Sequence, residues 1–117
     1  MKDNLDRFLP LSPATLHVLL ALAGGELHGY GIMLEAVRQS DGQYKLGPGT
    51  LYDNLRKLLA QGMVEESRKQ PSTDDSRRRY YRLTGLGRRV LNAEVARLEG
   101  VLRKARGLLQ SPRPKRA

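Results

Sequence analysis

Gly47-Pro48-Gly49-Thr50-Leu51-Tyr52-Asp53-Asn54-Leu55-Arg56-Lys57-Leu58-Leu59 is the stretch from which the fold is read. Pro48 suits the first turn of a helix, because its ring fixes a helical φ and the N–H it lacks would have no partner there. Leu51, Leu55, Leu58 and Leu59 fall at i, i+4, i+7 and i+8, which gathers them into one apolar stripe. At about 100° per residue, Thr50, Asp53 and Lys57 point away from that stripe, flanked by Gly49, Asn54 and Arg56. Such a helix docks on a core by one face and offers small, polar and cationic groups on the other. A recognition helix has this pattern, with its N-terminal half meeting base edges, and so does an ordinary amphipathic surface helix. The flanking sequence separates the two readings.

Downstream of Gly62 the period changes to that of strands. Met63 to Lys69 and Arg78 to Leu83 are extended candidates, and Pro71-Ser72-Thr73-Asp74-Asp75-Ser76 between them is turn chemistry. A hairpin directly after a recognition helix is a wing. It carries Arg77, Arg78, Arg79 and Arg82, interleaved with Tyr80 and Tyr81. In a strand, Tyr81 and Leu83 share the face that covers the core, and Tyr80 and Arg82 share the outer one. An isolated arginine run reads as a solvated turn; beside the polar face of a recognition helix it reads as contact with the DNA backbone.

Upstream, Leu11-Ser12-Pro13 is a strong helix start, with Ser12 as N-cap and Pro13 in the first turn. This helix runs Leu16, Val18, Leu19, Leu20, Ala21, Leu22, Ala23 and stops at Gly24-Gly25. It is apolar nearly all round, so in so small a protein a second subunit is expected to help cover it. Leu27-His28-Gly29-Tyr30 opens another helix that continues through Val37 and ends near Ser40-Asp41-Gly42. The expected fold is mainly α with a small β-hairpin: a winged helix-turn-helix of three helices plus a wing.

Thr84 then caps a long final helix. Leu91, Val95, Leu98, Leu102, Ala105 and Leu109 alternate spacings of four and three, which is a heptad seam. Leu86, Val90, Val101 and Leu108 widen it beyond what one subunit can cover, so the helix is expected to dimerise the protein. The chain thus divides into an N-terminal arm (1–11), the winged domain (12–84), the dimerisation helix (85–110) and a basic tail (111–117). The arm, with Leu5, Phe8 and Leu9 at helical spacing, packs on a partner or frays.

The charge agrees with a polyanionic partner. In 117 residues, 21 Lys+Arg stand against 12 Asp+Glu, a formal net charge of +9. Double-stranded DNA is the expected partner, and an anionic membrane surface the weaker alternative. Cysteine is absent, which excludes disulfides and thiolate metal sites. The longest apolar run is too short to span a bilayer, and the N-terminus has no signal-peptide pattern, so a soluble cytoplasmic protein is expected.

Taken together, these pieces resemble the PadR family of winged-helix transcriptional regulators. The resemblance rests on Leu27-His28-Gly29-Tyr30, on Pro48-Gly49-Thr50-Leu51-Tyr52 with Leu55 and Leu58, on Gly62-Met63-Val64, and on Tyr80-Tyr81-Arg82-Leu83-Thr84 with Gly87. It covers nearly the whole chain from Ser12 to Leu109, and a single C-terminal helix matches the short subfamily. It implies a homodimer on a two-fold operator, usually a repressor, released by a small-molecule effector or a stress signal. On this basis Gly49, Thr50, Tyr52, Asn54 and Lys57 are the candidate recognition-helix contacts, and Arg77, Arg78, Arg79 and Arg82 those of the wing. Three departures stand out. Asp53 occupies a position where many members have proline; it either accepts from a cytosine amino group or, the favoured reading, pairs with Arg56 or Lys57. The wing tip has Asp74-Asp75 in place of a glycine. With no tryptophan in the chain, the indole-lined drug pocket of some members is not available.

No catalytic chemistry is legible. His17 lies in an apolar helix, as a core or interface residue, and His28 stands at a helix start as a structural residue. Neither has further ligands at metal-binding spacing. No Gly-Lys-Ser/Thr follows the glycines, and no nucleophile sits beside a base in a recognised motif. No cofactor, metal or enzymatic activity is therefore expected. Two functions remain: a sequence-specific repressor, or a winged-helix module that binds nucleic acid non-specifically or a protein partner.

Overall fold

Local capping chemistry sets the helix ends in the computed structural model, which describes residues 4–67 and 78–110. Helix α1 (Pro13–Ala23) starts where Ser12 Oγ accepts the Thr15 N–H at 3.2 Å, with Pro13 in its first turn. Helix α3 (Pro48–Ala60) likewise opens on a proline, after Gly47. Helix α4 (Gly85–Gln110) follows Thr84, whose hydroxyl accepts the Gly87 N–H at 3.0 Å and donates to the Gly62 carbonyl at 2.6 Å. That double bond of Thr84 ties the root of α4 to the turn after α3. Gly87 is required there: a Cβ would lie 2.0 Å from the Met63 carbonyl oxygen, so no other residue lets the helix come so near.

The expected hairpin is one part of a three-stranded antiparallel sheet in the order β1-β3-β2. Strands β2 (Val64–Ser67) and β3 (Tyr80–Leu83) begin one and two residues later than the sequence suggests. The difference at Leu27–His28 is larger. These two residues do not open the second helix; they form β1, paired as Leu27↔Tyr81 and His28↔Tyr80. Helix α2 begins only at Gly29 and runs to Gln39. Two residues are too few for a period-2 signal, so only pairing with β3 reveals them as a strand. On the other side of β3 the register is Val64↔Leu83, Glu65↔Arg82, Glu66↔Tyr81 and Ser67↔Tyr80. Tyr81 is buried and Leu83 half-buried, while Arg82 is exposed, as the alternation requires. Residues of the wing turn, including Arg77, the N-terminal end of the arm and the tail at 111–117 lie outside the described residues.

The core forms where the three helices meet the sheet. Val18, Leu19 and Leu22 from α1 pack with Ile32 of α2 and with Leu51, Leu55 and Leu58 of α3, joined by Met63, Val64, Tyr81 and Val90. Leu91, the first residue of the expected seam, is buried in this core as well. The first turns of α4 rest on the winged body, and periodicity alone does not show where the helix leaves it. From Val95 onward the stripe is exposed at Leu98, Val101, Leu102, Leu108 and Leu109, rising to 81% at Leu109. Ala105 is half-buried. His17 stacks on Tyr44 with ring centroids 4.2 Å apart, and its Nδ1 is buried without a hydrogen-bond partner among the described residues.

Glu94 is a buried acid, 1% exposed, on the inner face of α4. Its carboxylate accepts the Leu11 N–H at 3.1 Å and two bonds from Arg97, at 2.7 and 3.0 Å. The Arg97 hydrogen bonds, assisted by the Leu11 N–H, hold the carboxyl below its ordinary range despite burial. A carboxyl depressed in the folded state stabilises the fold at pH values above the ordinary carboxylate range, and the contribution is lost as pH falls through it. Glu94→Ala leaves three N–H donors, of Leu11 and Arg97, short of an acceptor and is expected to destabilise the protein by about 1–3 kcal/mol at neutral pH. In urea unfolding the gap between variant and parent should close as pH falls below that range.

Candidate nucleic-acid interface

The outward face of α3 is open at its start. Gly49 has no neighbouring atom within 4 Å of where a Cβ would stand, and Thr50 is exposed. Further along, Asp53 pairs with Arg56 at 3.1 Å and with Lys57 at 3.4 Å. This is the favoured of its two readings. Exposed pairs of this kind are worth at most about 1 kcal/mol, so a phosphate competes readily for either cation.

Asn54 does not stand with the outward residues. Its Oδ1 accepts from the Thr15 hydroxyl at 2.7 Å and its Nδ2 donates to the Thr50 carbonyl at 2.8 Å. Both ends of the amide are engaged, one across to α1 and one along α3. In the DNA-free chain the side chain of this candidate contact thus braces α3 against α1. A position flanking the stripe can turn either way, and its partner lies 39 residues earlier in the chain.

Tyr52 points from α3 across to α2. Its hydroxyl occupies the space above Gly29, where a Cβ would come within 2.2 Å of that oxygen. Gly29 is thus the residue that lets Tyr52 lie against the start of α2. Around this contact is a cavity of about 400 Å³ lined by His28, Gly29, Tyr30, Tyr52, Tyr81 and the wing residues Arg78 and Arg79. Burial pushes the Tyr81 hydroxyl above its ordinary pKa, with the Glu66 carboxylate and Tyr52 acting in the same direction.

The described wing arginines divide by their partners. Arg78 Nη1 lies 3.0 Å from His28 Nε2, and Arg79 lies 3.5 Å from Glu66. Both stand at the mouth of the cavity. Arg82 is engaged with Glu65 across the sheet at 2.7 Å, on the outer face, and does not join them. The structure therefore brings Tyr52, Arg78 and Arg79 together. It also adds His28 and Tyr30, which the sequence reading did not place in a site. The missed signal is the β1–β3 pairing, which sets the His28 and Tyr80 rings edge to face at 5.2 Å. Among the described residues no group of three or more His, Cys, Asp or Glu side chains is placed to hold a metal ion. No helix among them is long and apolar enough to cross a membrane.

Comparison with known proteins gives this architecture a family. Residues 18–93 match the Transcriptional regulator PadR-like family. The chain is 36% identical over 92 residues to the transcriptional regulator Rv3488 of Mycobacterium tuberculosis, covering 79% of this chain and 81% of that protein. It is 42% identical over 90 residues to an uncharacterized 37.1 kDa protein in transposon TN4556 of Streptomyces fradiae. That match covers 74% of this chain, which spans only 24% of the transposon protein's length. The fold is shared with Bacillus subtilis PadR, solved in complex with operator DNA, at a TM-score of 0.62 and 23% identity over 74% of this chain and 48% of that one. The chain belongs to the PadR-like family, whose members are transcriptional regulators and not enzymes.

Proposed function

We propose that this protein is a sequence-specific repressor that binds a two-fold operator as a homodimer in the cytoplasm and is released by a small-molecule effector. The observation that carries the reading is that α3 has an exposed, open start at Gly49 and Thr50 and, in its first turns, sends Tyr52 into a cavity lined also by Arg78 and Arg79. Thr50 and Lys57 are the proposed base-reading side chains, with Gly49 allowing close approach of the backbone. Tyr52, Arg78 and Arg79 are the proposed phosphate contacts, and Arg77, which lies outside the described residues, is proposed with them. Asn54 acts indirectly, by fixing the angle of α3. The winged body (12–84) reads DNA and α4 pairs the subunits through Val95, Leu98, Leu102, Ala105 and Leu109. A ligand that changes the angle between the paired helices displaces the two reading faces, provided it binds the displaced state better.

One observation favours the non-specific alternative: Asn54 is turned inward and Asp53 holds two of the cations of α3, which leaves few groups for base readout. Selection of genomic fragments with the purified protein separates the two. A repressor should enrich one two-fold motif with half-sites about one helical turn apart, and Thr50→Ala should relax preference at one position per half-site, by about 1–3 kcal/mol. Fragments without a common motif would establish the non-specific module. If the dimer neutralises about six to ten phosphates, log K should fall against log salt with a slope of about −5 to −9.

The dimer is tested separately. Replacing Leu98 and Leu102 with Asp places charges in a desolvated seam without touching the core of the winged body. Sedimentation should find folded monomers, since both residues are exposed within the subunit. A dimer of undiminished affinity from the double variant would rule out the α4 seam.

A further inference from the structure

Asn54 is the middle of a one-way relay of hydrogen bonds. The Ser12 hydroxyl donates to Thr15 Oγ1 at 3.0 Å, the Thr15 hydroxyl to Asn54 Oδ1 at 2.7 Å, and Asn54 Nδ2 to the Thr50 carbonyl at 2.8 Å. The far end dictates the direction. A carbonyl oxygen only accepts, so the amide nitrogen must face Thr50 and the amide oxygen must face Thr15. A flipped amide would set oxygen against oxygen at Thr50. Thr15 therefore gives its single hydroxyl hydrogen to Asn54 and accepts from Ser12. Ser12 Oγ meanwhile caps α1 by accepting the Thr15 N–H at 3.2 Å. The relay thus runs from the N-cap of α1 to the first turn of α3, and it ends on the residue proposed to read bases.

The packing between the two helices leaves this relay a task. Leu51, Leu55 and Leu58 of α3 share the core with Val18, Leu19 and Leu22 of α1. Apolar contact is non-directional, so it holds the helices together more firmly than it fixes the roll of either about its axis. Among the described residues, Thr15 to Asn54 is the hydrogen bond that joins α1 to α3, and it is half-buried, where an unpaired amide oxygen is costly. Thr50 is exposed and faces away from the leucine stripe, so a roll of α3 carries it sideways across the bases it is proposed to contact. We infer that Thr15 is a positioning residue for base readout: through Asn54 it fixes the roll of α3 and with it the place of Thr50. This rests on the proposed sequence-specific binding. Attraction to the DNA backbone depends on charge and is left as it is. Sequence preference then depends on a side chain of α1, a helix that reads no base.

Thr15→Val keeps the branched shape and removes the hydroxyl, while Ser12 can still cap α1 through the backbone N–H of residue 15. With the full chain and a duplex from the fragment selection, this variant should bind the operator about three- to tenfold more weakly, the effect of one lost hydrogen bond. Its affinity for unrelated DNA should equal the parent's. Thr15→Ser restores the hydroxyl and should restore the preference. A variant that was merely destabilised would lose both affinities together and would not be rescued by serine. Asn54→Ala should lower the same preference, and adding Thr15→Val to it should change nothing further, since both break one relay. The side-chain ¹H–¹⁵N resonances of Asn54 in the DNA-free proteins check the link directly: they should move in Thr15→Val and return in Thr15→Ser. Unmoved resonances, or additive effects of the two substitutions, would overturn the positioning role. So would an operator preference in Thr15→Val that equals or exceeds the parent's, the latter meaning that a released Asn54 reads bases itself. Those outcomes leave the regulator reading intact. A parent that prefers no sequence at all defeats that reading, and the positioning role with it.

Discussion

Strand β3 is paired on both edges, and the geometry of the molecule depends on that double pairing. On one side Tyr81 and Tyr80 hold Leu27 and His28; on the other Leu83 to Tyr80 hold Val64 to Ser67. The first pairing attaches the start of α2 to the wing, and the second attaches the wing to the end of α3. A two-stranded ribbon would leave the wing tethered by one edge and would open the cavity beside Gly29 to solvent. Isolated hairpins are marginal in water, and even a two-residue third strand gives the wing a fixed base. Tyr81, buried in the middle of this arrangement, links the pairing to the hydrophobic core.

Much of this was legible from neighbours in sequence. Ser12 with Pro13, Pro48 after Gly47, and Thr84 act within one helical turn, so their consequences are local and were read directly. The leucine stripe of α3 was equally plain, since Leu51, Leu55 and Leu58 are buried as the period demands. What escaped was non-local. Leu27–His28 becomes a strand only because of residues more than fifty positions later. Asn54 turns inward because Thr15 offers a hydroxyl from another helix. Leu91 and Val95 occupy equivalent places in the heptad, yet one is core and the other exposed. Glu94 is buried, and its carboxylate accepts from Leu11, 83 residues earlier in the chain.

The charges on the cationic side are held in an orderly way. Asp53, Glu65 and Glu66 each engage at least one cation, so the arginines and lysine are pre-positioned without being locked. In water these pairs are weak, and a polyanion exchanges with the carboxylates at small cost. The acids thereby trim non-specific attraction while leaving the strongest polyanion able to win. Arg82 is the exception in position: its pairing on the outer sheet face supports the wing and leaves the cavity to Arg78 and Arg79.

Glu94 gives α4 a mechanical property. The helix is anchored near its start by Thr84, Gly87 and the buried carboxylate, and beyond Val95 it has little support from its own subunit. Its 26 residues make a rod about 39 Å long. The part beyond Glu94 is about 24 Å of this, and a tilt of about ten degrees there swings the far end by about 4 Å, roughly the rise of one base pair. Small changes at the root are therefore magnified at the tip. In the proposed dimer, packing changes around Leu11 and Glu94 retune the spacing between the two bodies, with every residue that faces outward on α3 left as it is.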